Sequence, residues 1–138
     1  EGSWDIVVAA NVVHAAKDIR AAVDRARRLL APGGLLLLVE STGHHPWHDI
    51  TTGLIEGWQH FEDDLRDESP LITPDAWIEL LRSAGFEAAA TLPGEDSPAA
   101  VLKQHVVMAR VAGETGAAVD LRCELRPDHH PHAAQPWL

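Results

Sequence analysis

Two titratable side chains, His14 and Glu40, each close a short apolar run: Asp5-Ile-Val-Val-Ala-Ala-Asn-Val-Val-His14 and Leu35-Leu-Leu-Leu-Val-Glu40. An imidazole beside a carboxylate can serve as a general base, because the acid fixes the ring tautomer and stabilises the imidazolium that forms. That chemistry needs both side chains at one edge of a sheet, which requires the two runs to be neighbouring parallel strands. Taken singly, His14 also reads as a helix-start residue and Glu40 as a solvated strand-end carboxylate.

The connecting segment decides between these readings. Ile19, Ala22, Val23, Ala26, Leu29 and Leu30 recur at helical spacing, with Lys17, Arg20, Asp24, Arg25, Arg27 and Arg28 mostly on the other face. Asp18 reads as the N-cap, and Pro32-Gly33-Gly34 as the stop before the second strand. A strand, a crossover helix and a second strand form a βαβ unit, whose strands are parallel and about 4.8 Å apart if adjacent. Open α/β sheets bind ligands beyond the carboxyl ends of such strands.

Composition bounds the remaining possibilities. A chain of 138 residues with 46% apolar and 23% charged residues is expected to form one small globular domain. A net charge of −10 argues against a nucleic-acid partner, which needs clustered Lys and Arg. The single cysteine, Cys123, excludes an internal disulfide and fits a cytoplasmic location. No apolar stretch approaches the roughly 20 residues of a membrane span, so no membrane partner is expected. The sequence lacks an initiator Met and runs from Gly2-Ser3-Trp4 straight into a strand, as a piece of something longer would.

Further along, Asp49 to Glu62 reads as a helix whose stripe of Ile50, Leu54, Ile55, Trp58 and Phe61 belongs in the core. Gly53 and Gly57 within it each cost about 1 kcal/mol relative to Ala, so close approach of substrate or backbone is the alternative account. Asp63 to Pro70 reads as an acidic loop. Thr73 and Pro74 form an N-cap and first helical residue ahead of Trp77, Ile78, Leu80 and Leu81, and Gly85 ends that helix. Strands are expected over Phe86 to Leu92 and Gln104 to Val111, giving the order β, α, β, α, α, β, β with a closing antiparallel hairpin. In the tail, Val119, Leu121, Cys123 and Leu125 alternate with charged residues as in a half-buried strand, and Pro127 to Pro136 reads as a linker. No metal site is expected at His129, His130 and His132 or at His44, His45 and His48, which lack cysteine or acidic partners in defined spacing.

A parallel sheet closing on an antiparallel last strand resembles the class I, Rossmann-like methyltransferase fold. The motifs narrow the resemblance: Asp5-Ile-Val-Val-Ala-Ala-Asn-Val-Val-His-Ala15, Arg28-Leu-Leu-Ala-Pro-Gly-Gly-Leu-Leu-Leu-Leu-Val-Glu40, Gly53-Leu-Ile-Glu-Gly-Trp58 and Leu71-Ile-Thr-Pro-Asp-Ala-Trp-Ile-Glu-Leu-Leu-Arg-Ser-Ala-Gly-Phe86. In this order they resemble the C-terminal half of the carbon-methylating domains of polyketide synthases, over about residues 3 to 110. The resemblance implies methyl transfer from S-adenosylmethionine to the α-carbon of a β-ketoacyl chain on an acyl carrier protein. It makes His14 the base and Glu40 its orienting acid, places Ala10 and Asn11 near the cofactor, and Glu56 and Trp58, with Trp47, at the acyl pocket.

The family's glycine-rich cofactor loop and its ribose-binding acid are not in this sequence, which starts at what resembles the fourth strand. The implied partners are therefore the N-terminal half of the domain and neighbouring synthase domains, and this chain alone is expected neither to bind the cofactor tightly nor to methylate. Residues 1–111 would form the C-terminal half, and residues 112–138 a linker or extra strand toward the structural part of a ketoreductase. A non-catalytic spacer descended from such a domain, and a fragment of a small-molecule O-methyltransferase, are the other readings.

Overall fold

Residues 2–113 are described by a computed structural model. Helix α1 (Ile19–Leu29) starts where its cap predicts, with the Asp18 side chain accepting from the Ala21 N–H at 2.9 Å. It stops earlier than Pro32-Gly33-Gly34, because Leu30 turns to extended backbone and buries its side chain. The last helical carbonyls find other donors: Gly2 N–H bonds Arg28 O at 2.9 Å, and Ser3 N–H bonds Leu29 O at 3.1 Å. Pro32, Gly33 and Gly34 consequently fall inside strand β2 (Leu30–Ser41), where the register jumps from Trp4↔Leu30 to Ile6↔Leu35.

Strand β1 (Trp4–Ala10) then runs parallel to β2 as far as Ala10↔Val39. Strands β3 (Ala88–Leu92) and β4 (Gln104–Arg110) form the expected antiparallel pair. The sheet order is β1-β2-β4-β3, with β4 antiparallel to both neighbours. A connection as long as residues 93–103 is what lets β4 insert beside β2 instead of adding at the edge.

Alternation along β2 sends Leu36, Leu38 and Glu40 to one face, level with Ala109, Val107 and His105 of β4. Helix α3 (Pro74–Ser83) packs there beside α1. Its Thr73 cap accepts from the Ala76 N–H at 3.2 Å, and Trp77, Leu80 and Leu81 are buried. Each such side chain contributes about 1.5–3 kcal/mol. On the other face, Trp4, Ile6 and Val8 of β1 are exposed.

Residues 49–62 do not form the single helix that their spacing predicts. They contain the end of a short helix α2 (Pro46–Ile50), a 3-10 turn (Thr52–Leu54) and further turns. The two glycines are the cause. A Cβ on Gly53 would lie 2.6 Å from the His48 carbonyl oxygen, and Gly57 has φ +94, outside the reach of a right-handed helix. The core assignment fails with the helix: Ile50 and Leu54 are each 75% exposed and Ile55 is 62% exposed. Among the described residues no helix is long and apolar enough to cross a membrane. The expected strand over residues 119–125 and the histidines of the tail lie outside the described residues.

Candidate active site

The end of β1 is shaped by Asn11, whose φ of +49 is a left-handed conformation that asparagine tolerates. Its N–H still donates to Val39 O at 2.6 Å, so the strand stays paired while the chain turns. The turn continues into a 3-10 helix (Val13–Ala15) carrying His14. Glu40, at the penultimate position of β2, closes this turn from beneath. Its Oε1 accepts from the Val12 and Val13 N–H groups at 3.2 and 2.9 Å, and its Oε2 meets His14 Nδ1.

Glu40 is fully buried and His14 is 6% exposed. A buried carboxylate is tolerated only when its lone pairs are satisfied, and backbone amides and imidazole together satisfy both oxygens here. With Nδ1–H donating to Glu40, Nε2 of the neutral ring carries a free lone pair. No hydrogen bond to Nε2 occurs among the described residues, and His14 lines a cavity of about 560 Å³.

Arg66 pins the same turn from behind. Its guanidinium is fully buried, with Nη1 donating to His14 O at 2.6 Å and Nη2 to Ala16 O at 2.7 Å. Its Nε donates to both Asp63 oxygens, at 3.0 and 3.2 Å. Asp63 in turn accepts from Ile19 N–H at 2.9 Å, tying the start of α1 into the network. Burial opposes ionisation of Asp63, but hydrogen bonds from Arg66, Ile19 and Leu65 outweigh it and hold the carboxyl below its ordinary 3.8. Sequence alone makes residues 63–70 an acidic loop and no more. The available signal is one arginine among Glu62, Asp63, Asp64, Asp67 and Glu68.

The cavity brings most of the expected site residues together. Asn11, His14, Trp47, Glu56 and Trp58 all line it, whereas Ala10 is exposed at the end of β1 and does not. Trp58 stands edge-on to His14, with ring centroids 5.6 Å apart. Asn11 Oδ1 accepts from Gln104 Nε2 at 3.2 Å, and Ser41 Oγ donates to Gln104 Oε1 at 3.0 Å, so β4 braces the rim.

Two buried histidines carry no role in the sequence reading. His105 on β4 shares a hydrogen bond with Thr42 Oγ1 at 2.6 Å, and burial lowers its pKa below 6.5. His48 lines the cavity, and burial, reinforced by His44 and His45, lowers it likewise. No group of three or more His, Cys, Asp or Glu side chains placed to hold a metal ion occurs among the described residues. A second cavity of about 510 Å³, lined by Gly2, Arg27, Arg28, Leu30 and Pro32, contains no comparable pair of acid and base.

Known proteins resemble this chain in sequence and in fold. The polyketide synthase PksR of Bacillus subtilis is 36% identical over 130 residues, which is 93% of this chain and 5% of that protein. The crystal structure of the CurJ carbon methyltransferase is similar at 39% identity and TM-score 0.74, covering 80% of this chain and 30% of that one. The trans-methyltransferase CalH, solved in complex with SAH, gives 34% identity and TM-score 0.68 over 80% of this chain and 31% of that one. The chain therefore spans a small fraction of its curated relative and about a third of each solved domain. Residues 1–91 match the methyltransferase domain family, and the chain belongs to that family, with the α/β sheet of the carbon methyltransferase domains of polyketide synthases.

Proposed function

We propose that this chain is part of a polyketide synthase domain that methylates the α-carbon of a β-ketoacyl chain carried on an acyl carrier protein. Residues 1–111 are its C-terminal half and residues 112–138 lead toward the next domain. The rest of the domain covers the exposed Trp4, Ile6 and Val8 face of β1. The observation that carries the reading is the fully buried Glu40, which spends one oxygen on the backbone of the His14 turn and the other on His14 Nδ1.

The α-carbon lies between two carbonyls, so its proton is acidic enough for a positioned neutral imidazole to remove. His14 Nε2 takes that proton, and Glu40 stabilises the positive charge appearing on the ring. Trp58 and Trp47 shield the reacting carbon from water and present apolar surface to the acyl chain. A spacer without activity has no physical need of a carboxylate buried beneath a cavity-lining histidine. Enolate formation by such a base favours transfer to carbon over transfer to oxygen.

The cofactor of this reading is S-adenosylmethionine, in keeping with SAH, its demethylated product, in the CalH complex. The end of β1 fits one margin of it: Asn11 is held in a left-handed turn with Oδ1 engaged by Gln104, leaving its amide Nδ2 for a ligand, and the exposed Ala10 leaves backbone accessible. When bound, the cofactor supplies an electrophilic methyl group to the enolate. The remaining contacts to it are assigned to the rest of the synthase.

The test uses the full-length synthase and a β-ketoacyl carrier protein, with products read by mass spectrometry. His14→Ala is expected to abolish methylation while leaving cofactor affinity unchanged. Wild-type turnover by this variant would overturn the base assignment.

A further inference from the structure

Across the cavity from the catalytic pair, the wall built by residues 47–58 holds a second buried imidazole with no task in the reaction as described so far. His48 is 7% exposed and lines the same cavity as His14. Its ring centroid is 5.8 Å from that of Trp58, the indole that also meets His14 edge-on. His48 Nδ1 accepts from the His45 backbone N–H at 3.3 Å, so the neutral ring carries its proton on Nε2. That Nε2–H has no hydrogen-bond partner among the described residues. On the same wall, the buried Thr52 hydroxyl also finds none, as expected of a surface shaped to meet a polar ligand atom.

The two histidines are thus wired in opposite senses. His14 donates a hydrogen bond from Nδ1 to a carboxylate and presents a lone pair at Nε2; His48 accepts a hydrogen bond at Nδ1 from a backbone N–H and presents an N–H at Nε2. Several groups surround His48: the His44 and His45 rings at 5.8 and 5.9 Å, Trp47 at 5.8 Å, Asp49, and His14 across the cavity. The Asp49 carboxylate is engaged by His44 Nε2 at 2.8 Å. Burial and the neighbouring imidazoles keep His48 uncharged at neutral pH, in the state in which Nε2–H is a donor and Nδ1 still accepts.

We propose that His48 is a catalytic residue of this site, donating its Nε2–H to the β-ketone oxygen of the substrate as negative charge develops there. The proposal rests on the enolate reading above. When His14 Nε2 takes the α-proton, the C–H electron pair forms the carbon–carbon double bond of the enolate. The carbonyl π pair moves onto oxygen, where the His48 N–H stabilises it by hydrogen bonding without transferring its proton. With the sulfonium cofactor bound, the enolate pair would form the new carbon–carbon bond as the methyl–sulfur bond breaks and its electron pair stays on sulfur, leaving the neutral thioether, and the carbonyl is restored. His14 then releases its proton to water.

The experiment compares His48→Met with His48→Gln in the full-length synthase. Methionine fills similar volume without a donor, and glutamine restores an N–H at comparable reach. Two rates are read on a β-ketoacyl carrier protein: methyl transfer, and exchange of the α-proton for deuterium above the uncatalysed background. Removing one donor from a developing oxyanion costs on the order of 10²-fold, so His48→Met is expected to slow both rates by about that factor with cofactor affinity unchanged. His48→Gln is expected to recover much of the loss. Equal rates in the two variants, whether both high or both low, would overturn the role of the N–H. Wild-type protein that neither exchanges nor methylates the substrate would overturn the enolate reading itself. Activity that needs His14 but is indifferent to His48→Met would overturn this proposal alone.

Discussion

The two walls of the cavity are held in different ways. On one, the groups that set the His14 turn are bonded to distant elements: the Val12 and Val13 N–H groups and His14 Nδ1 to Glu40 on β2, and the His14 carbonyl to Arg66. On the other, short helical turns between Pro46 and Trp58 leave Trp47, Ile50, Leu54 and Ile55 exposed, and hydrogen bonds there are mostly local, such as His48 N–H to His45 O. The first wall holds His14 in one position, as the proposed role in proton transfer requires. The second, held mostly by local bonds, can shift with the shape of the acyl chain proposed to lie against it. Damage to the first should therefore appear in chemistry and folding, and damage to the second in substrate use.

The largest effect is expected from Glu40→Gln. The amide can keep the Val12 and Val13 bonds with its oxygen, but its N–H faces His14 Nδ1 and forces that nitrogen to accept. The proton moves to Nε2 and the base is lost. In serine-protease triads the equivalent change lowers turnover about 10⁴-fold, and a drop of that order in methyl transfer is expected here, with the melting temperature little changed. Near-normal turnover would mean that Glu40 is a structural strut only.

Arg66→Met comes next, as a loss of stability. It leaves Asp63 buried without its cation and frees the His14 and Ala16 carbonyls, and breaking a buried ion pair from one side costs about 3–5 kcal/mol in urea unfolding. Arg66→Lys should restore little, since an ammonium cannot serve Asp63 and two carbonyls in fork geometry. A small loss in Arg66→Met would place the rigidity of this wall elsewhere.

Ile55→Ala probes the opposite wall. Ile55 lines the cavity yet is 62% exposed, so stability should change by no more than about 0.5 kcal/mol. The Michaelis constant for a long acyl chain should rise several-fold, because each methylene group buried between chain and wall contributes about 0.8 kcal/mol. Equal Michaelis constants for long and short chains in this variant would remove the acyl pocket from this wall.

The same division explains what could be read from the sequence. Strands of alternating burial joined by a capped helix admit one arrangement, so the side-by-side placement of His14 and Glu40 followed from local patterns. The other wall misleads: Ile50, Leu54, Ile55, Trp58 and Phe61 repeat like a helix, and only the left-handed Gly57 and the crowded Gly53 show that the chain turns instead. Arg66 reaches carbonyls some fifty positions away, a pairing that no local pattern encodes. His44, His45 and His48 look equivalent in sequence, and burial alone singles out His48.

Acidification gives the smallest expected effect, acting through two buried histidines, His105 beside Thr42 and His48 in the cavity. Both have pKa values lowered from 6.5 by burial, with His44, His45 and His14 adding to the shift of His48 and Asp49 opposing it. The unfolded chain therefore binds more protons than the folded one once the pH falls below about 6.5, so stability declines on acidification from that point and is unaffected above it. Asp63 adds a separate loss at lower pH, since its stabilising ionisation is fully present above 3.8 and is lost as the pH falls from there through the lowered folded-state pKa. Ring-proton chemical shifts should place the titration midpoints of His48 and His105 below 6.5. A His48 midpoint above neutral pH would mean that the ring carries a cation there, with Nδ1 protonated and no longer able to accept from the His45 N–H.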